Sequence, residues 1–149
     1  PNIIEKTQLI NLYKNNESNI TLSNKTIRIY LGQPLEEISP IFTTEYILNI
    51  LHKLNVGFYY PHPREDIFYL EGVETIISSL VFEDYIINYL NNNPEVEIEV
   101  YSFISSAMLN ISSLNRVKLN YIYNSYLYNN YKDFYNFANK DFKIDCFQV

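Results

Sequence analysis

Glycine is scarce in this chain: Gly32, Gly57 and Gly72 are the only three in 149 residues. They cannot form a GxGxxG or a GxxxxGKS/T run, which excludes a glycine-rich dinucleotide or triphosphate loop. Cysteine is scarcer still. Cys146 stands alone, which rules out an internal disulfide and any Cys-based zinc site and reads as a buried spectator thiol. Positive charge is thin. Eleven scattered Lys and Arg against seventeen Asp and Glu leave a net charge of −6 and a pI of about 4.9, which argues against a nucleic-acid partner. No run approaches the ~18–20 apolar residues of a membrane span, and no signal peptide is recognisable. The chain opens on Pro1 rather than Met, as a piece cut from a longer protein would.

What is present describes a globular α/β domain. Hydrophobic residues make up 47% and charged residues 19%, so the chain can bury a core. Ile3 to Lys14 has roughly helical apolar spacing, and residues 1–25 read as a partly helical lead-in. Strands and helices then alternate. Thr26 to Gly32 is β-branched and apolar and predicts a strand. Thr43 to Asn55 sets Tyr46, Ile47, Ile50, Leu51 and Leu54 on one helical face. Val56 to Tyr60 predicts a second strand, stopped by Pro61 and Pro63. "ETIISS" suggests a third strand, and "EDYIINYLNN" a helix opened by two acids. Glu95 to Phe103 alternates acidic and apolar residues, the clearest strand signal. "SSAMLNIS" predicts a helix capped by Ser105 or Ser106, "RVKLNYIYN" another strand, and "YNNYKDFYNFANK" a closing helix with an aromatic face.

This alternation predicts a Rossmann-like, mainly parallel sheet flanked by helices over residues 26–149. Ligands of such sheets bind outside the carboxyl ends of the strands. Four polar clusters fall on that edge: "GQPLEEI", "PHPRED", "VFED" and "FISSA". Two serines opening a helix can seat a phosphate, though plain capping needs only one. His62, fixed between two prolines, can donate a hydrogen bond to a leaving phosphate or protonate it; it can equally be a turn residue. Glu36 and Glu37 can supply a general base or merely a solvated loop. Glu83 or Asp84 can accept hydrogen bonds from a ribose diol or simply favour a helix N-terminus. His52, inside a predicted helix, reads as structural, and the two histidines do not make a metal site.

Taken in order, "YLGQPLEE", "YYPHPREDIFYLEG", "SSLVFEDYI" and "VEIEVYSFISSAMLNI" resemble the C-terminal half of the bacterial lipooligosaccharide sialyltransferases. The likeness covers roughly Ile27 to Tyr123. The HP and SS pairs are short, and their order and separation make the match specific.

The resemblance implies one half of a GT-B glycosyltransferase, two Rossmann-like domains around a cleft. Such enzymes move sialic acid from CMP-sialic acid to a terminal galactose of a surface glycan, with inversion and without a metal or other cofactor. By position, His62 is similar to the histidine that meets the CMP phosphate as general acid, with Pro63 beside it. Ser105 and Ser106 match the serine pair that holds this phosphate. Glu37 or Glu36 corresponds to the base, Glu83 to the ribose contact, and Gln33 joins the donor site. Related enzymes often carry an acid-acid-Gly pattern with Asp as base; here Glu stands for Asp and Ile38 for Gly. The implied partners are a CMP-sugar and a galactose-ended glycan, with a homodimer and peripheral membrane association of the parent protein as further expectations. The implied location is the bacterial cytoplasm, at the inner face of the membrane. The chain is expected to hold the donor half alone and to be inactive by itself. The residues on their own leave two alternatives open: a non-catalytic α/β nucleotide- or partner-binding module, or a transferase of another sugar.

Overall fold

The computed structural model describes residues 25–65 and 69–149. The lead-in helix expected over Ile3 to Lys14 lies outside them. The described residues form a six-stranded, wholly parallel sheet in the order β3-β2-β1-β4-β5-β6. Its strands are β1 (Lys25–Leu31), β2 (Phe58–Tyr60), β3 (Glu74–Thr75), β4 (Val96–Ser102), β5 (Val117–Tyr123) and β6 (Asp145–Gln148). Three α-helices join them: α1 (Thr44–Lys53), α2 (Phe82–Asn92) and α3 (Ser125–Phe142). The Rossmann-like α/β arrangement read from the sequence is the one observed.

Local chemistry explains the element limits. The Thr43 hydroxyl accepts the Tyr46 N–H at 3.1 Å and caps α1, which buries Ile47, Ile50 and Leu51. The Asn124 side chain does the same for α3 through the Leu127 N–H at 2.9 Å. Lys143 ends α3 in the left-handed region, at φ 59°, and turns the chain into β6. In β4, Val96, Ile98 and Val100 are buried on one face, while Glu97 is exposed and Glu99 binds Arg28 at 3.0 Å. Alternation thus survives at the start of a central strand, with Glu97 exposed and Glu99 half-buried.

Three expectations need correction. The third strand is only Glu74–Thr75. Beyond it the Ser78 hydroxyl takes the Leu80 N–H at 3.1 Å, a local turn that competes with the sheet ladder. "SSAMLNIS" forms a six-residue 3-10 helix, Ser106–Ile111, not an α-helix. At its C-cap the Ser112 hydroxyl donates to the Leu109 carbonyl at 3.0 Å. β6, finally, had no counterpart in the sequence reading.

The chain runs outward from β1 through β2 to β3, then crosses to β4 on the other side of β1. Strand order therefore reverses between β1 and β4, and the crevice outside their carboxyl ends is where this architecture binds ligands.

Candidate functional site

Because every strand is parallel, the loops after β1, β2, β3 and β4 emerge on one edge of the sheet. There they line a cleft of about 400 Å³ that gathers Gln33, His62, Pro63, Arg64, Glu83, Ser105 and Ser106. Six of the eight residues singled out for the site thus share one wall. Glu36 and Glu37 stand beside it. Glu36 lines a small adjoining recess with Gln33, Thr43, Thr44 and Glu65. Glu37 reaches the rim through Arg64, Oε1 to Nη1 at 3.8 Å, with both side chains mostly exposed.

Gln33 closes the floor. Its Oε1 accepts the Ile104 N–H at 2.7 Å and lies 3.3 Å from the Ser102 hydroxyl, which also donates to the Leu31 carbonyl at 3.0 Å. The loops after β1 and β4 are tied together at the reversal point.

The two serines differ. Ser105 is buried and caps the 3-10 helix by accepting the Ala107 N–H at 3.2 Å, and its carbonyl accepts the Tyr121 hydroxyl. Ser106 is exposed at the cleft. A six-residue 3-10 helix lacks the aligned peptides of a long α-helix, so a bound anion here would rely on hydroxyls and local N–H groups more than on a macrodipole. Glu83, in the first turn of α2, is half-buried, and its Oε2 accepts from Asn110 Nδ2 at 3.2 Å.

His62 is held closely. Its Nδ1 accepts the Arg64 backbone N–H at 3.0 Å. An accepting Nδ1 carries no proton, so the neutral ring bears its hydrogen on Nε2. Partial burial lowers the imidazole's proton affinity; the Arg64 charge lowers it further, and Glu37 opposes both.

Glu65 was not assigned a role from the sequence. Its Oε1 accepts the His62 N–H at 2.8 Å. Burial pushes its carboxyl up to about 7; the hydrogen bond from the His62 backbone and the nearness of Tyr59 oppose the rise, and Glu36 adds to it. The signal in the sequence was slight: an acid three residues after a histidine, able to reach back across a turn.

The other histidine is structural. His52 Nε2 lies 2.9 Å from the Glu71 carbonyl, tying the end of α1 to the loop before β3. Cys146 is half-buried, with its thiol pushed up to about 11 by desolvation and then by Asp145, consistent with a spectator. Among the described residues, no three of His, Cys, Asp and Glu gather to hold a metal ion, and no helix is long and apolar enough to cross a membrane.

Comparison with known proteins gives consistent matches. The sequence profile of glycosyltransferase family 52 covers residues 1–126. An N-acetyllactosaminide alpha-2,3-sialyltransferase of Haemophilus influenzae is 31% identical over 116 residues, 75% of this chain and 34% of the relative. A protein of the same name from Neisseria meningitidis is 36% identical over 86 residues, 58% of this chain and 22% of the relative. A CMP-N-acetylneuraminate:beta-galactoside alpha-2,3-sialyltransferase of Pasteurella multocida is 34% identical over 112 residues, 74% of this chain and 34% of the relative. The chain spans about a third or less of the length of these curated relatives.

Proposed function

This chain belongs to glycosyltransferase family 52, and from that premise we propose that it is the donor-binding part of a sialyltransferase. The whole protein would move sialic acid from CMP-sialic acid to a terminal galactose of a surface glycan, inverting the anomeric centre without a metal. The observation that carries this reading is the meeting of His62, Ser105, Ser106 and Glu83 around one cleft at the reversal of strand order.

The chemistry follows from what these groups can donate and accept. The bond from sialic acid C2 to the phosphate oxygen breaks, the oxygen keeps the electron pair, and negative charge grows on CMP. The Nε2–H of His62 and the hydroxyl of Ser106, on the wall of this cleft, would donate to that growing charge, and fixed donors of this kind lower a barrier without reorganising. Ser105 shapes the turn that presents Ser106. Glu83 serves the ribose hydroxyls. Glu37 or Glu36 takes the proton of the acceptor hydroxyl as it attacks C2 from the opposite side. Arg64 offsets the acidic character of the chain at the mouth of the site.

Calorimetric titration with CMP tests this. Binding is expected, weakened by His62→Ala and by Ser106→Ala. A folded sample that gives no heat with millimolar CMP would sink the donor-site reading in favour of a non-catalytic module. Donor assays of the full-length protein with CMP-sialic acid against other nucleotide sugars separate sialic acid from another transferred sugar.

A further inference from the structure

The turn that carries His62 is closed more tightly than a turn requires. The His62 N–H donates to Glu65 Oε1 at 2.8 Å, and the Glu65 N–H donates back to the His62 carbonyl at 3.1 Å. The ring is then pinned by the Arg64 N–H on Nδ1 at 3.0 Å. Backbone and side chain of Glu65 together fix both peptide groups of the histidine.

The seat for this carboxyl is built by β1 and β2. The Gly32 N–H donates to the Tyr60 carbonyl at 2.9 Å, extending the strand pairing one residue beyond β1. A Cβ on Gly32 would lie 2.1 Å from Glu65 Oε1 and 2.6 Å from Tyr59 Cε1, so glycine leaves the carboxyl room to sit where it does. The Tyr59 ring borders the same seat. Among the described residues Glu65 forms no ion pair, and Arg64 next to it turns to Glu37. A partly buried carboxyl with no cation beside it is unfavourable.

We propose that Glu65 is a positioning residue, seated against Gly32, that holds the His62 ring in the Nε2–H form facing the donor phosphate. This rests on the reading of His62 as the phosphate contact. The carboxyl does not touch the substrate in this role; it acts through the histidine.

The test uses the 149-residue chain at pH 8 and two readouts. Long-range 1H–15N spectra report the tautomer of His62 without any ligand. Titration with CMP reports affinity. In the unaltered chain His62 is expected as one Nε2–H tautomer. Glu65→Gln keeps an acceptor oxygen at the same reach and should preserve both the tautomer and CMP affinity. Glu65→Ala and the shorter Glu65→Asp should give averaged tautomers and a CMP affinity about tenfold weaker, the loss of one hydrogen bond at a charged site. On a His62→Ala background, Glu65→Ala should cost no further affinity. A wild-type tautomer in Glu65→Ala, or additive losses in the double variant, would overturn the proposal. So would the reverse ranking, with Asp tolerated and Gln not, because that would make charge the essential property. If Glu65→Ala does not fold, the contrast between Gln and Asp decides alone. Absence of CMP binding by the unaltered chain would overturn the donor-site reading, while the tautomer spectra would still decide whether Glu65 positions the ring.

Discussion

Gln33 Oε1 receives the Ile104 N–H at 2.7 Å, across 71 residues of sequence. The bond spans the crevice between the carboxyl ends of β1 and β4, so it braces the site as well as the fold. Gln33→Ala leaves the half-buried Ile104 N–H without its acceptor, a loss of about 1–2 kcal/mol. The expected result is a lower urea midpoint with an unchanged slope, together with weaker CMP binding. An unchanged midpoint would show that the brace is not needed.

The serine pair should divide its labour. Ser105 caps the 3-10 turn and is buried, so Ser105→Ala is expected to cost about 1 kcal/mol of stability and to weaken CMP binding through the altered turn. Ser106 is exposed, so Ser106→Ala should leave the melting temperature nearly unchanged and lower CMP affinity directly. Thermal melts run beside titrations separate the two. Equal loss of stability in both variants would contradict the division.

Arg116 shows how the far end of the sheet is secured. Its backbone is in the left-handed region, at φ 68°. Its guanidinium donates to the carbonyls of Asn93 at 2.9 Å, Val96 at 3.0 Å and Leu90 at 2.9 Å, clamping the end of α2 to the start of β4. Arg116→Ala should destabilise the chain by about 2 kcal/mol. Lys should recover less than half of that, since one ammonium cannot reproduce a planar fork. Arg116→Gly should be less damaging than Ala by up to about 1 kcal/mol, because glycine accepts the positive φ. Denaturant midpoints of the three variants check this order.

How much of this was legible in the sequence depends on distance along the chain. The alternation in Glu95 to Phe103 and the apolar stripe of Thr43 to Asn55 are local patterns, and both elements form where those patterns lie. The gathering of His62, Ser105, Ser106 and Glu83 was legible because strand-end loops in a parallel sheet share one edge. β6 was not, since four residues with half-buried Cys146 and Phe147 carry too short a pattern. The 3-10 winding of Ser106–Ile111 was hidden too, because a stretch this short carries the same apolar pattern for either helix type. Glu65 was the least legible. Its burial depends on the register of Tyr30 with Tyr59 and Leu31 with Tyr60, which brings Gly32 beneath the turn. No spacing in the sequence encodes that contact.

That same burial gives Glu65 a signature in the pH dependence of stability. Its carboxyl stands near 7 in the folded chain against an ordinary value of 4.5. Between these two values the native state holds a proton that the unfolded state has released, so stability falls as pH rises. The favourable contribution is complete below about 4.5 and gone once pH passes through about 7. The full shift would correspond to about 3 kcal/mol; solvent screening of a carboxyl that is not fully enclosed reduces this to about 1–2 kcal/mol. Glu65→Gln cannot ionise and lacks this dependence. The difference in melting temperature, Gln variant minus unaltered chain, should therefore be several degrees more positive at pH 8 than at pH 4.5. The titration of His62 is common to both proteins and largely cancels in the comparison. A difference that stays constant between the two pH values would place the carboxyl in an ordinary, solvated setting and contradict the buried seat against Gly32.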